Sequence, residues 1–170
     1  TFLVAVTARQ GLGFNRAFLF LVNPEKERLE GKMAVGPATP HEAGLIWSRL
    51  ERHHQTLYEI LGSIRQHGLN EDVQVNWIIR SLKIPLSDKK NILVRSLTEQ
   101  KAFNVRDGRY EDNISGLDRI LGTRTFVAVP LVTPRGPVGV LIADNAINGK
   151  PISDEEVERL KAVSYYASAA

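Results

Sequence analysis

Apolar residues along this chain follow two different spacings. Residues 17–22, with the sequence AFLFLV, form a continuously apolar run, which is typical of a strand covered on both faces. Residues 28–35 alternate instead, which predicts an antiparallel strand with one exposed face. The residues predicted to share the apolar face of this strand are Leu29, Gly31, Met33 and Val35. Because the turn-forming segment NPEKE lies between the two runs, we expect them to pair as a hairpin.

A second hairpin is predicted for residues 126–145, with the sequence FVAVPLVTPRGPVGVLIADN. Alternation along its second strand divides the residues into one face with Val138, Val140, Ile142 and Asp144 and another with Gly139, Leu141 and Ala143. The small residues Gly139 and Ala143 leave room for a helix or a ligand to approach closely. Pro130 has no N–H to donate, so it marks an edge or a bulge in the first strand.

Between the two hairpins the apolar period lengthens to about 3.5 residues, which is typical of helices. A long helix is predicted from about residue 40 to residue 67, followed by a second helix with apolar residues from Val75 to Leu82 that Pro85 ends. Together they predict a helical hairpin between the second and third strands, within an insert of approximately residues 40–100. The third strand is predicted near residues 103–106, after a short helix around residues 92–97.

Helices are also predicted at both ends of the chain. Residues 2–9 have the pattern of a helix that Gly11 and Gly13 stop. Near the other end, Ser153 followed three residues later by Glu156 forms a capping box, which begins a final helix. The apolar face of that helix includes Val157, Leu160 and Val163. This order of elements predicts the α+β class, with an antiparallel sheet flanked by helices.

The amino-acid composition and the net charge exclude several classes of function. The 170 residues are 43% hydrophobic and 24% charged, which predicts one domain over 1–170 with a substantial core. The net charge of +3 comes from scattered basic residues, which argues against nucleic-acid binding. No apolar run approaches the roughly 20 residues that span a bilayer, so we expect no membrane contact. The absence of Cys fits a reducing, cytoplasmic location and excludes thiol nucleophiles, thiolate metal sites and a bilin attached through sulfur. Because the chain begins without Met, we expect it to be a piece of a longer multidomain protein.

Three segments, GLGFNRAFLFLVN, RTFVAVPLVTPRGPVGVLIADN and ISDEEVERLKAVSYYAS, resemble in this order the GAF domain family of small sensory modules. The resemblance spans nearly the whole chain and is greatest to the GAF domains of bacterial sensor histidine kinases. It implies an antiparallel sheet of about six strands, with helices on one face and a small-molecule pocket on the other. It also implies a homodimer formed through the terminal helices, and an effector such as a histidine kinase in the same polypeptide.

The long connection from Pro37 to Gln100 departs from the family pattern. The helical hairpin predicted there would cap, fill or replace the ligand pocket. The side chains that would fill the pocket or dock a partner helix are Trp47, Leu57, Leu61, Val75 and Ile79. This gives an alternative to a small-molecule sensor: a ligand-free dimerisation or protein-interaction module.

Two short patterns suggest specific ligands, and a simpler interpretation is favoured for each. Phe103 and Asp107 have the spacing found in cyclic-nucleotide-binding members of the family, but Gly108 replaces the Glu that completes the motif. A turn at Asp107 and Gly108 is the simpler interpretation. His54 lies on the apolar side of the predicted long helix, where a haem or metal ligand would lie. A histidine that packs between helices is favoured there, so neither haem nor a cyclic nucleotide is expected.

The sequence carries no recognisable catalytic motif. GLGFNR lacks the third Gly of a dinucleotide fingerprint, and no nucleophile elbow, zinc-protease helix or P-loop occurs. The GAF family members that reduce free methionine sulfoxide need Cys, which this chain lacks. We therefore expect a non-catalytic domain.

A ligand pocket, if the domain has one, is expected at strand ends and in the adjoining loops. Its predicted polar lining is Arg106, Asp107, Tyr110, Arg124 and Asp144, and its predicted apolar wall is Phe103. The face formed by Val157, Leu160 and Val163 is predicted to make the dimer or relay contacts of the final helix.

Overall fold

The computed structural model describes residues 2–7, 11–37, 79–106, 117 and 121–169. The helices and strands within these ranges, numbered here in chain order, are α1 (Phe2–Thr7), β1 (Arg16–Val22), β2 (Arg28–Val35), β3 (Lys83–Pro85), α2 (Ile92–Glu99), β4 (Phe103–Val105), β5 (Phe126–Thr133), β6 (Gly136–Asp144) and α3 (Asp154–Ala169). The predicted long helix at residues 40–67, and most of the predicted second helix, lie outside the described residues.

The described strands form one six-stranded sheet in the order β3-β2-β1-β6-β5-β4, and every neighbouring pair is antiparallel. The two predicted hairpins, β1–β2 and β5–β6, are therefore parts of the same sheet, and they meet where β1 pairs with β6 at its centre. The predicted α+β class and antiparallel sheet are confirmed.

Alternating residues of β1 belong to two separate hydrophobic cores. Phe18 and Phe20 are buried in a core on one face of the sheet, whereas Ala17 is buried in a core on the other face. The same division continues along β6, where Val140 belongs to the first core and Leu141 to the second. Both central strands are thus covered on both faces, as the continuously apolar run predicted for β1.

Different helices cover the two faces. The first core contains Leu93 and Leu97 of α2, together with Leu117 and Leu121, and this side of the sheet is called here the α2 face. The second core contains residues of α1 and α3, so this side is called the α1/α3 face. Its helical members are Leu3, Val6, Val157 and Leu160. Helices therefore lie on both faces, whereas the family resemblance implied helices on one face only.

Two bulges change the predicted alternation. In β2, Met33 pairs with Leu19 and Gly31 with Phe20, so Lys32 is an extra residue. As a result Ala34, rather than Met33 or Val35, joins Leu29 in the α2-face core, and the predicted single apolar face of β2 is wrong beyond Gly31. A corresponding shift in the β5–β6 pairing makes Val138 an extra residue of β6, and its side chain is 37% exposed rather than aligned with Val140.

Pro130 lies in β5 beyond Ala128, the last β5 residue that pairs with β4. At Pro130 the strand therefore has a ladder partner only in β6, where it pairs with Val140. Of the two predicted alternatives for Pro130, an edge or a bulge, the structure shows an edge, since β5 becomes an edge strand at this point.

The third strand is earlier than predicted. The helix that was expected to end at Pro85 ends with residues 79–81, and Lys83–Pro85 forms β3, paired with Arg28–Glu30 at the edge of the sheet. The β2–β3 connection is thus shorter than the predicted insert of 40–100, which also contains β3 and α2. The strand predicted as the third, near residues 103–106, is the fourth.

Two glycines in the strands allow a close approach of backbone. A Cβ at Gly31 would overlap the Ile79 carbonyl, so the absence of a side chain lets the 79–81 helical turn lie directly over β2. A Cβ at Gly139 would overlap the Phe20 carbonyl. The space that the sequence pattern assigned to a helix or a ligand at Gly139 is therefore occupied by the adjacent strand β1.

Candidate functional site

Three of the predicted ligand-binding residues lie at one end of the sheet. β1 and β5 begin there, whereas β2, β4 and β6 end there. Arg106 follows β4, Arg124 precedes β5, and Asp144 is the last residue of β6. Asp107 and Tyr110 lie outside the described residues, and their predicted role stays a prediction.

The centre of this end is a buried ion pair between Arg16 and Asp144. The two residues are direct cross-strand partners at the start of β1 and the end of β6. The Arg16 Nε lies 2.9 Å from Oδ1 of Asp144 and its Nη2 lies 2.8 Å from Oδ2. The side chains are only 4% and 0% exposed, respectively. Arg16 Nη2 also donates a hydrogen bond to the carbonyl of Leu121, so the guanidinium joins the sheet to a residue of the α2-face core.

Burial dominates the electrostatics of this pair. It raises the pKa of the Asp144 carboxyl above its ordinary value, against the hydrogen bonds and charge of Arg16 and the N–H of Ala146, which lower it. A buried pair of this kind is expensive to form, and it is still more costly to break, because one charge is then left without a partner. The Asp144 carboxylate is thus fully engaged within the protein rather than directed at an open pocket.

Asparagine side chains extend this polar cluster into the turn that follows β6. The Asn15 Oδ1 accepts hydrogen bonds from the backbone N–H groups of Ile147, at 3.0 Å, and Asn148, at 2.9 Å. Asn145 is also buried; its Oδ1 accepts from the Asn15 N–H at 3.3 Å and its Nδ2 donates to the Lys150 carbonyl at 3.2 Å. These bonds fix the 146–150 turn to the start of β1.

Beyond this turn, α3 begins with the predicted capping box, which is confirmed. Ser153 Oγ accepts a hydrogen bond from the Glu156 N–H at 3.2 Å, and the Glu156 carboxylate accepts from the Ser153 N–H at 2.8 Å. Lys150 Nζ also donates to Glu156 Oε1 at 3.1 Å. Partial burial raises the pKa of Glu156, but the hydrogen bonds from Ser153 and Lys150 outweigh it and leave the pKa below its ordinary value.

The predicted relay face of α3 is directed towards the domain's own sheet. Val157 and Leu160 are buried in the α1/α3 core, and Val163 is half-buried. The exposed large hydrophobic side chains of the helix are Tyr165 and Tyr166, which are 66% and 74% exposed and meet edge to face with ring centroids 6.0 Å apart. Val157 and Leu160 therefore couple α3 to the sheet, while the tyrosines face outward.

Phe103 and the two predicted arginines have separate environments. Phe103 is buried in the α2-face core, with the cationic groups of Arg95 and Lys101 4.9 and 5.8 Å from its ring centroid. Arg106 is exposed and pairs with Asp154, the first residue of α3, at 2.9 Å. Arg124 is exposed beside the start of β5. The two arginines are thus exposed at this end of the sheet, whereas Phe103 is part of the core.

A cleft of about 230 Å³ opens at the same end, on the side of α1. Its lining includes Thr7, Phe14, Pro37 and Ile147. Among the residues that the structure describes, no predicted pocket residue lines this cleft, and the lining that they form carries no charged side chain.

Within the described part of the chain, no group of three or more His, Asp or Glu side chains could hold a metal ion. The candidate haem or metal ligand His54 lies outside that part, as does the second residue of the cyclic-nucleotide pattern, Asp107. In the same described ranges no helix has the length and apolar character needed to cross a membrane.

Sequence reasoning missed Arg16, Asn15 and Asn145. Arg16 is the charged residue directly before an apolar run, and Asp144 is the charged residue that ends one. Two such residues at the ends of adjacent antiparallel strands become neighbours, but the residues of β1 and β6 do not by themselves indicate that these two strands are adjacent.

The described elements thus form an antiparallel sheet between two helical layers, with a buried ion pair at one end of the sheet. The GAF domain family model matches residues 3–170, and the chain belongs to this family. No curated protein matches the sequence.

Solved structures with the same fold come from functionally diverse proteins. A methyl-accepting chemotaxis protein fragment, residues 122 to 287, is 18% identical with a TM-score of 0.64, covering 98% of this chain and 82% of its own. The GAF-B domain of DevS from Mycobacterium smegmatis is 15% identical with a TM-score of 0.52, covering 96% and 82%. Free methionine-R-sulfoxide reductase from Neisseria meningitidis, in complex with its substrate, is 16% identical with a TM-score of 0.53, covering 95% and 69%. At these identities the similarity shows the fold alone.

Proposed function

We propose that this GAF domain is a non-catalytic regulatory module, which binds a small molecule at the end of its sheet where β4 ends and β5 begins, and which passes a conformational signal to an effector such as a histidine kinase. One observation carries the proposal. α1 and α3 pack against the same face of the sheet, opposite the face that α2, Leu117 and Leu121 cover. A change on one face can therefore alter the terminal helices only through the sheet or its end, which is the arrangement that a relay needs.

The relay acts by shifting a population. A ligand that favours one arrangement of the sheet and α3 by about 1.4 kcal/mol changes the ratio of two states tenfold. The effector lies in the same polypeptide, in the cytoplasm, and a homodimer brings two copies of α3 together. The exposed pair Tyr165 and Tyr166 supports such a contact, since two large aromatic side chains are outward-facing on one helix.

The absence of catalysis is supported by composition and by the site. The chain has no Cys, so it lacks the residue type that the sulfoxide reductases of the family need. The carboxylate of Asp144 forms a buried ion pair with Arg16, so it is not accessible to a substrate.

The ligand-binding residues in this proposal are the polar groups at the ends of β4 and β5. Arg106 and Arg124 are exposed there, and Asp107 and Tyr110 follow Arg106 in the sequence. Phe103 forms the apolar floor below them, and Asp144 supports the site from within rather than contacting the ligand.

A thermal-shift screen of the 170-residue chain against a panel of small metabolites tests ligand binding. A ligand present at 100 times its Kd stabilises the folded state by about 2.7 kcal/mol, which raises the Tm of a domain of this size by roughly 5–10 °C. Arg124→Ala should abolish the shift. Arg135→Ala is the matched control, because Arg135 is also exposed but lies in the β5–β6 turn at the other end of the sheet. A shift that both variants retain would contradict the assigned residues.

A second function is favoured by one observation. Ile79, one of the residues predicted to fill the pocket, is fully buried in the α2-face core. This supports a ligand-free dimerisation or protein-interaction module, in which side chains of the β2–β3 connection occupy the pocket. A panel that produces no shift, together with a dimer by sedimentation, would favour this module over the sensor.

A further inference from the structure

We propose that Arg16, Asp144 and Asn15 form a built-in relay that couples the cover of the α2 face to the first turn of α3. The inference rests on the proposed function and specifies the route through which its signal would pass. A series of hydrogen bonds supports it. The bonds of Arg16 and Asn15 join segments more than 100 residues apart, and shorter-range bonds continue from the turn after β6 to α3.

The first link crosses from the α2 face into the sheet. Leu121 is buried in the α2-face core, and its carbonyl accepts a hydrogen bond from Arg16 Nη2. The same nitrogen donates to Asp144 Oδ2. A displacement of the Leu121 carbonyl therefore changes the number of acceptors available to a guanidinium that water hardly reaches.

The second link passes from the sheet into the turn after β6. Asp144 Oδ1 accepts from the Ala146 N–H at 3.1 Å while it also accepts from Arg16 Nε. The side-chain oxygen of Asn15, the residue before Arg16, accepts hydrogen bonds from the next two backbone N–H groups, those of Ile147 and Asn148. A rotation of the Arg16–Asp144 pair would thus act on successive amides of one turn.

The third link reaches α3. The turn is tied to Lys150 twice, because Asn145 Nδ2 donates to its carbonyl and Asn148 Oδ1 accepts from its N–H. Lys150 Nζ in turn donates to Glu156, the capping-box carboxylate of α3.

Because the Arg16 guanidinium is buried, it can adopt only arrangements in which its donors are hydrogen-bonded, so we expect two discrete arrangements of the first link rather than a continuous range of positions. An exposed arginine that loses one acceptor gains water, but a buried one must rearrange until its donors are satisfied again. Arg106 and Asp154 provide the contrast: they also join the sheet region to α3, but they are 57% and 90% exposed, so water replaces either partner.

Hydrogen exchange of the 170-residue chain tests the relay without any ligand. Arg16→Lys keeps a charge beside Asp144 but loses the second donor group that reaches Leu121. We expect exchange at the Ala146, Ile147 and Asn148 amides to accelerate about fivefold or more, the lower limit of typical coupling between sites. The reference amides are Gly31 and Leu86, which bond to Leu82 and Glu27 near the opposite edge of the sheet and should keep their rates.

Asn15→Ala tests the same coupling in the reverse direction and leaves the buried ion pair intact. It releases the Ile147 and Asn148 amides directly, and the relay predicts a similar acceleration at residues 121–125, because coupling is reciprocal. Arg106→Ala is the matched control and should leave both the turn and residues 121–125 unchanged.

Three results would overturn the relay: acceleration confined to the mutated end, equal acceleration at the reference amides, or the same pattern in Arg106→Ala. If Arg16→Lys does not fold, the Asn15→Ala arm decides alone. Because no ligand is present, a negative result leaves the proposed sensory function intact but without this route, and an unsuccessful metabolite screen leaves the relay test unaffected.

Discussion

Asp144→Asn should be one of the most damaging isosteric substitutions in the described part of this domain. Asn keeps the shape of Asp144 but replaces one acceptor oxygen by an NH2 group and removes the negative charge. Arg16, whose side chain is 4% exposed, then retains a positive charge without a counter-ion. Breaking a buried pair in this way typically costs about 3–5 kcal/mol, a large part of the roughly 5–15 kcal/mol that stabilises a whole domain.

Urea denaturation followed by circular dichroism measures this loss, with the midpoint expected to fall while the slope m stays constant. Asp154→Asn is the matched control, since it makes the same chemical change in an exposed ion pair with Arg106 and should leave the midpoint close to that of the wild type. If Asp144→Asn proves as mild as Asp154→Asn, the reasoning from burial is wrong.

A double-mutant cycle separates the pair from the rest of the site. Arg16→Met alone leaves Asp144 buried without its guanidinium, and combining it with Asp144→Asn removes both charges. Because neither charge is then unpaired, the double variant should lose less stability than the sum of the single losses, by about 1–3 kcal/mol. Additive losses would show that the two side chains do not act as a pair.

Three further substitutions test other parts of the fold. Gly31→Ala places a methyl group against the Ile79 carbonyl, so we expect a loss of about 1–3 kcal/mol in urea denaturation, and an unchanged midpoint would contradict the close approach. Asn91→Ala removes the N-cap of α2, whose side chain accepts from the Leu93 N–H, and should cost about 1 kcal/mol by the same assay. Glu156 has a lowered pKa in the folded state, so the stability that its ionised form contributes is present above its ordinary pKa of 4.5 and is lost as the pH falls through the folded-state value. The stability difference between the wild type and Glu156→Gln should therefore be present near neutral pH and disappear in acid, and a difference independent of pH would refute the assignment.

The central strands could be predicted because their residues alone determine their environment. A continuously apolar run such as β1 can only be stable between two cores, and the alternation of β6 separates Val140 from Leu141 without any knowledge of the partners. The capping box of α3 is local for the same reason, since Ser153 and Glu156 are three residues apart.

Strand β3 and the bulge in β2 were not predicted because both are defined by pairing between strands, which the sequence of one segment does not reveal. β3 consists of only Lys83–Pro85, too short to show a period, and its pairing with β2 defines it as a strand. The extra residue Lys32 in β2 does not disturb the alternation of apolar and polar residues in the sequence. It nevertheless reverses the face of the sheet on which the Met33 side chain lies.

The buried ion pair of the site also could not be predicted from local sequence. Arg16 and Asp144 are 128 residues apart, and each alone is an ordinary charged residue at the end of a strand. Their pairing follows only once β1 is known to lie beside β6. Predicting strand ends as the location of the site was sufficient to select Arg106, Arg124 and Asp144, but not to separate the buried carboxylate from the two exposed arginines.

The positions of the two bulges restrict how this domain can change in length. Lys32 and Val138 are both extra residues with exposed side chains, whereas the pairing of β1 with β6 from Arg16–Asp144 to Leu21–Gly139 is regular throughout. A single-residue insertion in that central stretch would exchange the occupants of both cores at once and would separate Arg16 from Asp144. Related sequences should therefore gain or lose residues in the hairpin turns and at the outer strands, while the segments 16–21 and 139–144 keep a constant length.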